Sequence, residues 1–441
     1  MEHEVAGNPA FWQVVSAVII FLLTYAIIIT EKMNRAVIAI FGAVIMLLLG
    51  IVDLQVAFSA YIEWSTIFLL IGMMMLVGIA NKTGVFEYIA IKASQQAKGE
   101  PLRILIILTL LTAVGSALLD NVTTVLLVVP ITLSITRILK ISPVPYLISE
   151  ILASNIGGTA TLIGDPPNIM IGSANPHLTF NAFLIHLAPI AIIIMVVTMA
   201  ILVWIYRRKL TVTEAAKKEL RSLSAKESIR DPKLMRKSVV VMLLTVIGFV
   251  LHSTLHVEAA VIAIAGATLL MLVGVSKHAV EQVFDLVEWE MIFFFIGLFI
   301  LVGGLIEAGV IGKLASMTLE ITSGDLTYTS MLILWVSGIA SATIDNIPFV
   351  ATMIPLIQNL GVEMNLGSPE ALNPLWWSLA LGACLGGNGT LIGASANVIV
   401  AGLASREGKG FSYMEFLKVG APLTILSLVI STGYLYYFLL P

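Results

Sequence analysis

The sequence predicts an all-α polytopic membrane protein made of two inverted repeats of five transmembrane helices, each with a re-entrant hairpin and a broken helix. Three observations lead there. Of 441 residues, 59% are hydrophobic and 12% charged, with a mean hydropathy of +1.01, more apolar surface than a water-soluble core buries. One pattern occurs twice: Asp120-Asn121 with Pro130, then a Gly-Gly-Thr stretch ending at Asn168, matches Asp345-Asn346 with Pro355, then a stretch ending at Asn397. The third observation is where the basic residues fall.

The apolar runs 11–29, 36–52, 65–80, 183–206, 238–251, 259–275, 291–307 and 422–440 approach or match the roughly 17–25 residues that a spanning helix needs. Helices rather than a barrel follow, because strict apolar/polar alternation is missing. The first run lacks a small-residue cleavage pattern and reads as the first span, not as a signal peptide.

Lys and Arg collect on the cytoplasmic side of membrane proteins. The segment 206–237, the one long polar stretch, holds 11 of them and is placed in the cytoplasm. Tracing spans outward from it puts 23 of the 24 basic residues inside, Lys32 and Arg35 among them, and only Lys313 outside. Both termini then lie outside a cell membrane. The chain divides into a first repeat, 1–205, a basic cytoplasmic linker, 206–237, and a second repeat, 238–441. Ten spans result, five per repeat, plus hairpins whose tips are Asp120-Asn121 and Asp345-Asn346. An odd number of crossings inverts the second repeat, the architecture of secondary transporters with a site at the midplane. Segments 84–100 and 309–325 are surface helices joining the hairpins to a scaffold. Glu63-Trp64 and Glu288-Trp289, also repeat-matched, read as interfacial anchors with Glu among the headgroups.

Pro and Gly make a regular helix untenable around 157–167 and 386–396. Unwound backbone at membrane depth is tolerated where it is buried or lines a watery cavity. The candidate binding residues of the first stretch are Gly157, Gly158, Thr159, Thr161, Gly164, Asp165 and Asn168; those of the second are Gly386, Gly387, Asn388, Thr390, Gly393 and Asn397. The competing reading of the glycines is close helix packing. Asp120 and Asp345 sit in apolar surroundings, where an ionised carboxylate is costly without a proton or a cation. With Asn121, Asn346, Thr123 and Thr124 they offer the oxygen ligands that a sodium ion prefers, though Asp and Asn also cap helices. Asp165, whose repeat partner is Ala394, is either a proton carrier or the cap of the helix that begins at Pro166. The single cysteine, Cys384, rules out an internal disulfide and a multi-thiolate metal site. His252 and His256 read as interfacial residues.

These residues carry a family resemblance. The tip Asp120-Asn121-Val122 with Pro130 resembles the Ser-Asn-Thr tip of the divalent anion/sodium symporters, with Asp in place of Ser. The paired motifs are more similar to the arsenite permease and sodium/proton antiporter (ArsB/NhaD) branch of the ion transporter superfamily, and within it to the pink-eyed dilution P protein group. The resemblance implies an elevator-type carrier, often a homodimer, with cation sites at Asp120, Asn121, Gly164, Asn168, Asp345, Asn346, Gly393 and Asn397. An arsenite-type carrier also has a cytoplasmic ATPase as a potential partner.

The charge tracing leaves no Lys or Arg near the midplane, so a dianion would face two carboxylates unaided. A cation or a neutral solute fits better. The expected function is therefore secondary transport without enzymatic chemistry or a cofactor beyond H+ or Na+. It is expected to be an antiport that exports a small inorganic solute such as arsenite or antimonite. Na+/H+ exchange is the alternative, and Na+-coupled carboxylate (citrate-like) symport the third. Lipid and a small ion are the expected partners, nucleic acid is not.

Overall fold

In the computed structural model, residues 9–30, 32–208 and 210–440 are described. Among them every regular element is helical. In chain order the main helices are α1 (Phe11–Ile29), α2 (Arg35–Leu48), α3 (Trp64–Lys82), α4 (Val85–Gln96), α5 (Pro101–Leu118), α6 (Asn121–Leu139), α7 (Val144–Thr159), α8 (Pro166–Ala174) and α9 (Ala188–Tyr206). The linker carries α10 (Glu214–Ser222). The second set is α11 (Pro232–Leu255), α12 (Ala259–Gly274), α13 (Trp289–Glu307), α14 (Val310–Thr322), α15 (Leu326–Thr343), α16 (Asn346–Glu363), α17 (Asn373–Gly386), α18 (Ser395–Arg406) and α19 (Tyr413–Tyr434). Each helix of the first set has its counterpart in the second. Among the described residues, nine helices are long and apolar enough to cross a membrane. Three of these, α5, α6 and α15, are hairpin arms; the other six, with the shorter apolar helices α2 and α12 and the broken pairs α7/α8 and α17/α18, make ten crossings.

Local chemistry shifts several boundaries from those expected. The second span stops at Leu48 rather than 52, because the chain turns at Gly50 with φ +65°. The run 183–206 is divided, since Pro189 starts a fresh helix and leaves Phe180–His186 as a separate short piece. The last span begins at Tyr413, well before 422, where Ser412 and Glu415 form a capping box. Unwinding is confined to 160–165 and 387–394, so Gly157, Gly158 and Gly386 remain helical.

The helices form two bodies. In the first, α2 packs on α13 and α3 on α12, with α1 and α11 alongside, so each repeat closes on the other. At Gly297 an added Cβ would lie 2.6 Å from the backbone of Ala39, and at the matching Gly72 it would lie 2.6 Å from that of Ala263. Those crossings are backbone against backbone, which makes a stiff frame. In the second body each hairpin wraps its own broken helix, α5 on α7 and α15 on α17, and α9 and α19 close the outside. α4 and α14 join the two bodies, as the polarity of their segments predicted. The linker lies on the end of the first hairpin: α10 packs on α6, and Lys217 Nζ donates to Glu100 Oε1 at 2.7 Å, holding that carboxyl below the usual carboxylate range.

Candidate functional site

Both hairpin tips end inside the second body. α6 begins at its cap Asp120, whose Oδ1 accepts the Thr123 amide at 2.7 Å, and α16 at Asp345, whose Oδ1 accepts the Ile347 amide at 3.2 Å. Each tip is bound to its own break by the same pair of bonds. Ser116 Oγ donates to the Ser154 carbonyl and Thr161 Oγ1 to that of Ala117, at 2.6 and 2.5 Å. In the second repeat Ser341 donates to Ala383 and Thr390 to Ala342 at the same two distances. The breaks are braced alike. Asn168 Nδ2 donates to the carbonyls of Gly158 and Thr161, and Asn397 Nδ2 to those of Gly387 and Thr390. Freed carbonyls at membrane depth thus find donors without water.

At each break a glycine faces converging carbonyls. A methyl on Gly164 would lie 2.6 Å from the Gly158 oxygen and 2.8 Å from that of Ser116; on Gly393 it would lie 2.8 Å from the Gly387 oxygen and 2.9 Å from that of Ser341. Gly164→Ala and Gly393→Ala should therefore each destabilise the protein by about 1–3 kcal/mol, as overpacked sites do. Gly312→Ala, on α14 with nothing within 4 Å of its added Cβ, is the control and should be neutral or stabilising. Thermal unfolding in detergent compares the three.

The halves meet through reciprocal contacts: α6 lies against α18 and α16 against α8. Asn155 ties them together. Its Nδ2 donates to Asn388 Oδ1 at 2.9 Å and Asn397 Oδ1 at 3.1 Å, while its Oδ1 accepts Asn121 Nδ2 at 3.1 Å. Cys384 holds the equivalent place in the other repeat and donates to Asn168 Oδ1 at 3.5 Å. Asn346 Nδ2 reaches Asp165 Oδ1 at 3.4 Å.

The residues marked from the sequence do not all converge. Gly157 and Gly386 are packing glycines: a methyl would meet the Ala113 carbonyl at 2.1 Å and the Gly338 carbonyl at 2.5 Å, on the facing hairpin arms. Thr159 bonds back to its own helix at the Asn155 carbonyl. Asp165 precedes α8 but its carboxylate makes no cap bond, so the cap reading of that residue fails. Asp165 Oδ2, Asn121 Oδ1 and Thr124 Oγ1 are buried with no hydrogen-bond partner among the described residues. Each is an oxygen still able to take a donor or a hard cation.

Arg35 corrects the expectation that no cation stands near the tips. Its Nη1 lies 3.1 Å from Asp345 Oδ2 and 2.5 Å from Ser395 Oγ. Glu288 and the exposed Trp289 both line a cavity of about 750 Å³ together with Lys32, Arg35, Asp345 and Ser395. A second cavity, of about 390 Å³, opens at the other end of α13 beside Glu63 and Glu307 and reaches α16 only as far up as Ala351. Of these two cavities, only the first reaches the second tip. Arg35 and Asn155 escaped sequence reasoning because the repeat puts Ala259 and Cys384 at their matched positions.

A family model described as CitMHS, citrate transporter, matches residues 25–382. The chain is 43% identical over 431 residues to an uncharacterized transporter of Mycobacterium tuberculosis, covering 97% of this chain and 99% of that one. It is 43% identical to the 46 kDa membrane protein of Mycobacterium leprae over 96% and 98% of the two chains. It is also 34% identical to the P protein of Mus musculus, covering 99% of this chain and 61% of P protein. Among solved structures it resembles the Alcanivorax borkumensis YdaH transporter, with a TM-score of 0.61 over 98% of both chains. At 12% identity that likeness is one of fold.

Proposed function

The chain belongs to the citrate transporter (CitMHS) family, with homology to P protein, and on that premise we propose that it is a cation-coupled antiporter working by elevator-type alternating access. The observation that carries this reading is the access to the second site: the large cavity reaches Asp345 from the Arg35 end, while the cavity at the opposite end of the frame stops at Ala351, short of the tip. A body that slides along a stiff frame exchanges which side is open. Asp120 and Asp345 alternately take a proton or a sodium ion. Asn121, Asn346, Thr123, Thr124 and the carbonyls around Gly164 and Gly393 supply the remaining oxygens.

The cargo in this reading is a small inorganic solute, arsenite or antimonite, or sodium itself exchanged for protons. Three carboxyls, Asp120, Asp165 and Asp345, against one arginine favour a cation or a neutral solute over a dianion. Carboxylate symport with sodium is the second reading, and the observation that favours it is Arg35 beside Ser395, a fixed positive charge able to meet a carboxylate. Charge placement supports a cytoplasmic linker with both termini outside, and a homodimer is part of the proposal. Reconstitution in liposomes with arsenite, sodium and citrate flux followed under imposed pH gradients separates these cargoes. Flux at channel-like rates that ignores every coupling-ion gradient would defeat the carrier reading.

A further inference from the structure

Arg35 belongs to the frame, yet its bonds go to the other body. The guanidinium carbon lies 5.1 Å from the centroid of Phe294 on α13, so the charge rests on a frame aromatic. Its two acceptors, Asp345 at the head of α16 and Ser395 at the head of α18, both lie at the tip and break of the second repeat, and Ser395 Oγ donates to Asp345 Oδ2 at 2.6 Å. Tyr25 on α1 adds a second tie from the frame, donating to the Pro348 carbonyl at 2.9 Å. The first tip has no such tie: Ala259 stands where the repeat would place an arginine, and Asp120 accepts only the Thr123 amide among the described residues.

We propose that Arg35, Asp345 and Ser395 form a coupling latch. The inference rests on the reading of Asp345 as a cation site. An Asp345 oxygen that accepts from Arg35 is not available to a bound cation, and two positive charges at one carboxylate repel. With Asp345 empty, Arg35 serves as its counter-charge and pins the second tip to the frame. A sodium ion bound at Asp345 displaces the guanidinium and frees the body to slide. The charged groups around Arg35 are Lys32 in the preceding turn, Glu288 and Glu290 at the head of α13, and Asp345 on α16; Asp165 stands behind Asn346. Glu288 is the carboxylate on the frame side placed to receive the displaced arginine. The latch couples charge to motion, because an unloaded carrier stays where it is.

Spin labels at Lys140 on the moving body and Lys277 on the frame, both exposed, report the motion as a distance in the full-length reconstituted protein. Cys384 is fully buried, so thiol labels do not reach it. In sodium-free buffer the wild type should give one distance, and added sodium should add a second. Arg35→Gln should show the second distance without sodium, the ratio of the two populations moving by about tenfold for one lost partly buried ion pair. Asp345→Asn, which keeps the helix cap, should do the same, and Arg35→Lys should restore the single distance. A wild type that responds, with Arg35→Gln and Asp345→Asn both matching it, overturns the latch alone. A wild type that never shows a second distance overturns alternating access and the latch with it.

Discussion

In proteoliposomes, Asp120→Asn and Asp345→Asn each abolish coupled transport while the protein stays folded. Asn caps a helix about as well as Asp, so α6 and α16 keep their starts. What is lost is the charge that a proton or cation titrates. Removing even an outer-shell partner of a bound metal costs about 10–100-fold in affinity or activity, and a direct carboxylate ligand should cost at least that. The check is gradient-driven flux beside circular dichroism and the melting temperature of each variant. Normal coupled flux in both variants would remove the two aspartates from their assigned role. The two variants should also differ: Asp120 is 8% exposed and has only its cap bond, whereas Asp345 carries the Arg35 ion pair. Asp345→Asn alone should therefore release the moving body as well.

How far the sequence discloses this molecule depends on which contacts are local. The helices, the hairpin tips and the breaks are legible because each is written within a few residues: an Asp-Asn pair starts a helix, and a Gly, Thr and Pro run stops one. The repeat then doubles every such signal, and the basic residues orient it. Arg35 was hidden for the opposite reason. It lies 310 residues from Asp345, and the charge bias that places it inside makes it look like any headgroup cation. Asn155 was hidden by the repeat itself, since its counterpart is Cys384. Comparing the halves finds what they share, and the residues that break the symmetry are the ones it passes over. Glu63 and Glu288 share the repeat, and the tryptophan beside each drew the reading to the membrane interface; the structure adds that each carboxylate lines a cavity.

Asp165 is the asymmetry that the sequence did mark, and Asp165→Ala, which gives the first break the residue of the second, should remove proton-driven transport. The carboxylate is fully buried, its Oδ1 is 3.4 Å from Asn346 Nδ2 and its Oδ2 meets no partner among the described residues. An ionised carboxylate so placed is costly, by several kcal/mol at membrane depth, unless a proton or cation joins it. Asn346 neighbours Asp345, so a change of charge at Asp165 is felt one residue from the latch. A proton carrier there adds a buried carboxyl beside the second tip, and the first tip has no equivalent, since Ala394 stands at the matched position. Flux driven by a pH gradient should fall by about 100-fold in Asp165→Ala, the scale on which a positioned proton-transfer group acts. Cargo exchange at equal pH on both sides should persist, since the tips and carbonyls are intact. Asp165→Glu should retain part of the pH response. A pH dependence in Asp165→Ala identical to the wild type would leave Asp165 a buried structural residue and place the proton on Asp120 and Asp345 alone.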